Sequence, residues 1–169
     1  MKLKLLHLPF IAFLTLSLSA TAGEFKLKIG DTVPPNLGKN TNGEKVNVPD
    51  FAGKIVVISF WASWCAPCIK ELPILENIQN HLGKDRVEVI AVNYKEDSRQ
   101  FNRIKKKLKD LNLTLTRDKR GSIGNRYGVD GIPHLFVLDK MGKLAFQQQG
   151  YSEKTVEKIV EILNQELTS

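Results

Sequence analysis

Cysteine is nearly absent from this 169-residue chain: Cys65 and Cys68 are the only two. A zinc site would need two more Cys or His ligands beside them, and the only histidines are His7, His81 and His134. A disulfide kept purely for stability is a poor reading as well, because closing so short a loop restrains the unfolded chain little. No cysteine lies near residue 22, which excludes a lipoprotein. No apolar run reaches the about 20 residues of a typical membrane span, and there is no internal repeat, low-complexity tract or second domain. The formal charge of +7 is spread along the sequence and partly held by Lys2 and Lys4. It reads as a solvated surface, and nucleic acid is not an expected partner.

What is present is concentrated in residues 55–71, IVVISFWASWCAPCIKE. Ile55 to Trp61 are mostly β-branched and aromatic, the composition of a buried central strand. Ala62, Ser63 and Trp64 turn the chain, and Cys65-Ala66-Pro67-Cys68 opens a helical pattern. Two thiols three residues apart on a first helical turn lie side by side, so they can close a disulfide or open it. Unpaired N–H groups and the positive end of the helix dipole favour thiolate there. Pro67 costs little in a first turn, where its missing N–H would have had no partner. A reactive thiolate, a resolving partner and a rigid mount are what thiol–disulfide exchange requires.

At the N-terminus, Lys2 and Lys4 precede an apolar run from Leu5 to Leu18, followed by the small residues Ala20-Thr21-Ala22. This pattern predicts a signal peptide over residues 1–22, or an uncleaved anchor, ahead of one domain over residues 23–169. Export implies an oxidising compartment, where an isolated Cys pair is either a bridge or a catalyst.

The body reads as alternating strands and helices. Two prolines make Gly30 to Pro35 irregular, and Asn42-Gly43 predicts a type I′ hairpin. Cys68, Leu72, Leu75 and Leu82 share one arc of a helix that Pro73 should bend. Arg86 to Tyr94 predicts a second buried strand. Ser98 is the expected cap of a helix carrying Phe101, Ile104, Leu108 and Leu111, whose outer face holds Lys105, Lys106, Lys107 and Lys109. A short strand over Leu113 to Thr116, a short helix over Ser122 to Tyr127 and a hairpin of His134 to Leu138 with Leu144 to Gln148 follow. Ser152 caps a last helix whose Val156, Ile159, Val160, Leu163 and Leu167 face inward. This order predicts an α/β fold with a mixed central sheet flanked by helices.

FWASWCAPC resembles the active-site stretch of the thioredoxin family, and Ile69-Lys70-Glu71-Leu72-Pro73 is similar to its periplasmic, TlpA/ResA-like branch. Gly131-Ile132-Pro133 matches the family's cis-proline loop, so the resemblance covers nearly all of the chain after the leader. It implies a thioredoxin fold with an N-terminal β-hairpin extension. Cys65 would then be the exposed nucleophile and Cys68 the resolving thiol. Trp64, Ile132 and a cis Pro133 would receive substrate, the backbone at Ile132 pairing with it as an added strand. Thioredoxin has a buried Asp six residues before its first Cys, whereas this chain has Ser59. Glu71, one turn after Cys68, is the candidate proton acceptor in its place. His134 reads as a satisfied polar residue at a strand start, or as a group tuning the thiolate.

The expected activity is an exported, periplasmic thiol–disulfide oxidoreductase that reduces disulfides of protein substrates. The resemblance implies apocytochrome c or copper-site thiols as substrates and a membrane thiol–disulfide electron donor. The expected protein is a monomer without cofactor or metal. The alternatives are an oxidase or isomerase of folding proteins, and a copper chaperone using Cys65, Cys68 and His134.

Overall fold

Ile55 to Trp61 form a strand with every residue buried, and the rest of the fold is laid out around it. The computed structural model describes residues 26–168, so the predicted leader over residues 1–22 lies outside the described residues. In chain order the elements are β1 (Asn36–Asn40), β2 (Lys45–Asn47), β3 (Ile55–Trp61), α1 (Ala66–Leu82), β4 (Val87–Tyr94), α2 (Ser98–Lys107), β5 (Thr114–Asp118), α3 (Ser122–Tyr127), β6 (His134–Leu138), β7 (Leu144–Gln149) and α4 (Glu153–Thr168). One sheet of 7 strands runs in the order β2-β1-β5-β4-β3-β6-β7. β3, β4 and β5 pair in parallel, joined by crossover helices, while β1 and β6 add on antiparallel.

Alternation along β3 divides the core in two. Ile55, Val57 and Trp61 face a cluster with Cys65, Cys68, Leu72 and Leu75 from the start of α1, and Ile159 and Leu163 from α4. Val56, Ile58 and Phe60 face the other way, towards Phe136, Tyr94 and Tyr127. Phe60 meets all three of those rings at centroid distances of 5.5–6.1 Å, in tilted and edge-to-face packing that suits aromatic quadrupoles. Both faces of β3 are therefore covered, and this is why its sequence shows no polar alternation.

Several local expectations need correction. At Asn42-Gly43 the loop is longer than a type I′ turn. The Asn40 N–H donates to the Glu44 carbonyl and the Gly43 N–H to the Asn40 carbonyl. Gly43 alone takes the positive φ, 87°. The side chain of Asn40 accounts for the difference, because its Oδ1 accepts from the N–H groups of Asn42 and Glu44 and stabilises a three-residue loop. Asp97, not Ser98, caps α2: its Oδ1 accepts from the N–H groups of Arg99 and Gln100 at 2.8 Å each. The same helix stops at Lys107, before Leu108 and Leu111. Here α1 competes for the backbone: Glu76 accepts from the Asn112 N–H, and Gln79 Nε2 donates to the Asn112 carbonyl. α1 itself runs unbroken through Pro73. The expected strand at Leu113 begins at Thr114 and continues to Asp118, and Ser152 does cap α4, its Oγ accepting from the Thr155 N–H at 3.1 Å.

Gly38 shows where the extension meets the core. Its φ is +100°, and a Cβ there would lie 2.7 Å from the Arg117 carbonyl oxygen of β5. Gly38→Ala combines an unfavourable backbone conformation with a clash against main chain, so a loss of about 2 kcal/mol or more is expected. A urea titration should show a lower midpoint at unchanged slope. An unchanged midpoint would mean that β1 shifts away from β5 at no cost.

Candidate active site

The cysteine pair stands where β3 delivers the chain to α1. Cys65 is the N-cap residue in extended conformation, with Ala66 and Pro67 starting the helix. Cys65 and Cys68 are joined by a disulfide across Cα atoms 5.2 Å apart. Cys65 Sγ also accepts from the Cys68 N–H at 3.3 Å, so the helix terminus presents a donor directly to the sulfur that would carry negative charge after reduction. Cys65 is 5 % exposed and Cys68 0 %, while Trp64 beside them is 66 % exposed. Cys65 is thus less open in the disulfide form than its position at a helix tip predicts, but it is the member of the pair that solvent reaches.

Behind the pair, a carboxylate is buried against the central strand. Glu71 is 1 % exposed, and its Oε2 accepts from the Ser59 Oγ–H at 2.7 Å. The second oxygen, Oε1, has no hydrogen-bond partner. Burial pushes the Glu71 carboxyl up to about 7, with the Ser59 hydrogen bond acting in the opposite direction. Ser59 and Glu71 thus form one unit, a serine on β3 and a carboxylate on α1, although in the sequence Ser59 reads only as a missing Asp. Glu71 follows Cys68 by one helical turn on the same buried side of α1.

Ile132 and Pro133 lie in the loop before β6, and the peptide bond between them is cis. Ile132 packs against the cluster that contains both cysteines. Its main chain makes no backbone–backbone hydrogen bond among the described residues, whereas the Pro133 carbonyl accepts from the Gly150 N–H at 2.8 Å.

His134 falls on the far side of the sheet. It alternates with Leu135 and shares the face of Phe136, on which it stacks at 4.5 Å between centroids, and Phe136 belongs to the cluster opposite the cysteines. Burial pushes its imidazole down to about 4, against the pull of Asp130, so it is neutral at pH 7. The sheet therefore separates His134 from the cysteines, and the trio a copper chaperone would need is not assembled. Among the described residues no group of three or more His, Cys, Asp or Glu side chains could hold a metal ion.

One part of the site escaped the sequence reading. Glu96, just after β4, is 1 % exposed. It accepts from the Ser63 N–H at 2.9 Å, from the Ser63 hydroxyl and from Asn93 Nδ2 at 2.5 Å. Its carbonyl accepts from Arg117 Nη2 at 3.2 Å. This clamp fixes the turn that carries Trp64 and Cys65. Its one signal in the sequence was Asn93, a polar residue inside the otherwise buried strand; Glu96 itself reads as an ordinary loop charge.

A cysteine pair bridged at a helix N-terminus over a mixed sheet, with a buried carboxylate one turn further along the helix and a cis-proline loop, defines a thioredoxin-like thiol–disulfide oxidoreductase. The redoxin family model matches residues 28–163. A thiol-disulfide oxidoreductase ResA of Bacillus thuringiensis is 34 % identical over 140 residues, 83 % of this chain and 79 % of that one. A Chlorobium tepidum structure described as a thiol:disulfide interchange protein DsbE is 28 % identical, with a TM-score of 0.74 over 83 % of this chain and 99 % of that one. The exposed lipoprotein thioredoxin Etrx1 of Streptococcus pneumoniae is 31 % identical, with a TM-score of 0.65 over 75 % and 96 %. The chain belongs to the redoxin family.

Proposed function

We propose that this oxidoreductase works as a reductase of protein disulfides, with Cys65 as nucleophile, Cys68 as resolving thiol and Glu71 as proton acceptor. The Cys65 thiolate attacks a substrate disulfide, forming a mixed disulfide and expelling one substrate thiolate, which takes up a proton. Cys68 gives its proton to Glu71 and attacks Cys65 Sγ, expelling the second substrate thiolate and closing the Cys65–Cys68 bond. Two electrons have then passed to the substrate, and a dithiol donor must return them. Trp64 offers a flat apolar surface to the incoming chain, and the unpaired backbone at Ile132, beside Pro133, can accept it as an added strand.

The observation that carries the direction is the buried Glu71 one turn behind Cys68. Its negative charge disfavours a second thiolate, and a raised thiol pKa stabilises the disulfide relative to the dithiolate. That makes the reduced protein a donor of electrons. In our reading residues 1–22 are a signal peptide or anchor, the domain acts in the periplasm, and a membrane dithiol re-reduces it. By resemblance to the TlpA/ResA-like branch, we take apocytochrome c or copper-site thiols as its substrates. Among the described residues no helix is long and apolar enough to cross a membrane.

Equilibration with glutathione and dithiothreitol buffers, followed by Trp64 fluorescence, tests the direction. A potential near thioredoxin's, about −270 mV, is expected; one near that of DsbA, about −120 mV, would make the protein an oxidase of folding chains.

A further inference from the structure

The lysines of α2 read as a dispersed solvated face in the sequence, but the fold gathers one of them with cations from three strands or their ends. A pocket of about 420 Å³ is lined by Lys39, Lys45, Lys105, Arg117 and Lys119 around the ring of Phe101, and no carboxylate lines it. Arg117 lies over that ring, with its guanidinium carbon 5.4 Å from the centroid. Its Nε is buried and makes no hydrogen bond. At the tip of the hairpin, Glu44 accepts from Asn40 Nδ2.

Register fixes where this pocket lies relative to the cysteines. Trp61 at the end of β3 pairs with Asn93, Asn93 with Arg117, Arg117 with Lys39, and Lys39 with Lys45. These residues form one row across five adjacent strands. At about 4.8 Å between strands, Lys39 is about 14 Å and Lys45 about 19 Å along the sheet from the strand end that leads to Cys65. A protein partner of ordinary size covers about 800 Å², a disc of radius about 16 Å. A partner whose disulfide meets Cys65 can therefore reach along this row.

We infer that the basic pocket is a docking surface for an acidic segment of the polypeptide that exchanges disulfides with Cys65. This rests on the protein-disulfide reading given above. Point charges spread around an open concavity suit several carboxylates along a chain, and solvent-exposed charges at such a rim act mainly on the association rate. A lipid surface suits the position less well, because a bilayer lying on the row would also cover Trp64 and the approach to Cys65.

The test uses two disulfide-bridged peptides that differ only in a tail of four Glu or four Gln, set five residues from the disulfide, a reach of about 17 Å when extended. Their reduction by the full-length reduced protein is followed by stopped flow. At ionic strength near 0.02 M the Glu peptide should react about 10-fold faster, and at about 1 M salt the ratio should approach one. Lys39→Glu/Lys45→Glu/Lys119→Glu, all at exposed positions, should lower the ratio at least fivefold. Lys140→Glu/Lys154→Glu/Lys158→Glu makes the same change in net charge elsewhere and should preserve it. A ratio of one at low salt, or an equal fall in both triple variants, would overturn the docking surface. So would binding to phosphatidylglycerol vesicles that is lost in the first variant while the peptides react alike. If neither peptide is reduced, the protein-disulfide reading fails by itself. Anisotropy of a cysteine-free Glu-tail peptide, measured in parallel, then decides whether the pocket takes acidic chains: weaker binding to the first triple variant than to the second supports it, and equal binding overturns it.

Discussion

Replacing Cys68 with Ser should turn the protein from a catalyst into a trap. Cys65 can still attack, but no second thiol remains to release the product, so mixed disulfides with partners should accumulate on non-reducing gels. Cys65→Ser should trap nothing, because Cys68 is fully buried while Cys65 keeps 5 % exposure. Either change removes a covalent step and should lower turnover by roughly 10³-fold or more. In the reduced wild type, iodoacetamide at neutral pH should label Cys65 far faster, since the Cys68 N–H already points at its sulfur. Equal labelling of both thiols would sink the assignment of roles. Both variants should still fold, as the bond closes a loop of only three residues' separation.

Glu71→Gln should change two pH profiles at once. The first is catalytic. A carboxyl pushed up to about 7 is an effective proton acceptor near neutrality, so resolution of the mixed disulfide should quicken as pH rises through 7 and then level off. Removing a general base costs roughly 10²-fold or more, and the Gln variant should be slow with that inflection gone. The second profile is stability of the disulfide form. Below the ordinary carboxyl value of 4.5 both folded and unfolded chains hold the proton. Above it the unfolded chain releases the proton, while the folded chain keeps it until about pH 7. The native state then binds more protons, so stability falls with rising pH across that window, by about 3 kcal/mol in all. It is fully present below the window and lost above it. Glu71→Gln should flatten the decline, read as urea midpoints at pH 5 and pH 8. Ser59→Ala removes the hydrogen bond that favours the charged form, so its inflections should move to higher pH. Superimposable wild-type and Gln profiles would mean that the proton leaves through water instead.

Much of this architecture was legible because the strongest signals were local. Ile55 to Trp61 and His134 to Leu138 run to the expected boundaries, because continuous apolar runs bounded by turn residues admit few alternatives. Where side chains bond to the backbone, the reading failed: Asn40 lengthened its own hairpin loop, and α1, from elsewhere in the chain, took the backbone that would have continued α2. The site divides in the same way. The thiol pair and the cis-proline loop are contiguous motifs. The Ser59–Glu71 and Ser63–Glu96 contacts join residues 12 and 33 positions apart, and no periodicity reports such a bond. His134 was ambiguous for a related reason, since its neighbour in sequence, Pro133, is not its neighbour across the sheet.

The Glu96 clamp bears on how this centre can be moved between proteins. Ser63 is held by a side chain just after β4, and that segment is tied in turn to Arg117 on β5. The redox loop is therefore not a portable cassette: a graft of residues 61–71 alone would carry the thiols and leave their mount behind. A transplant that keeps the loop's shape has to bring the β4–α2 junction and a β5 arginine with it. The natural unit of exchange between scaffolds is three strands wide.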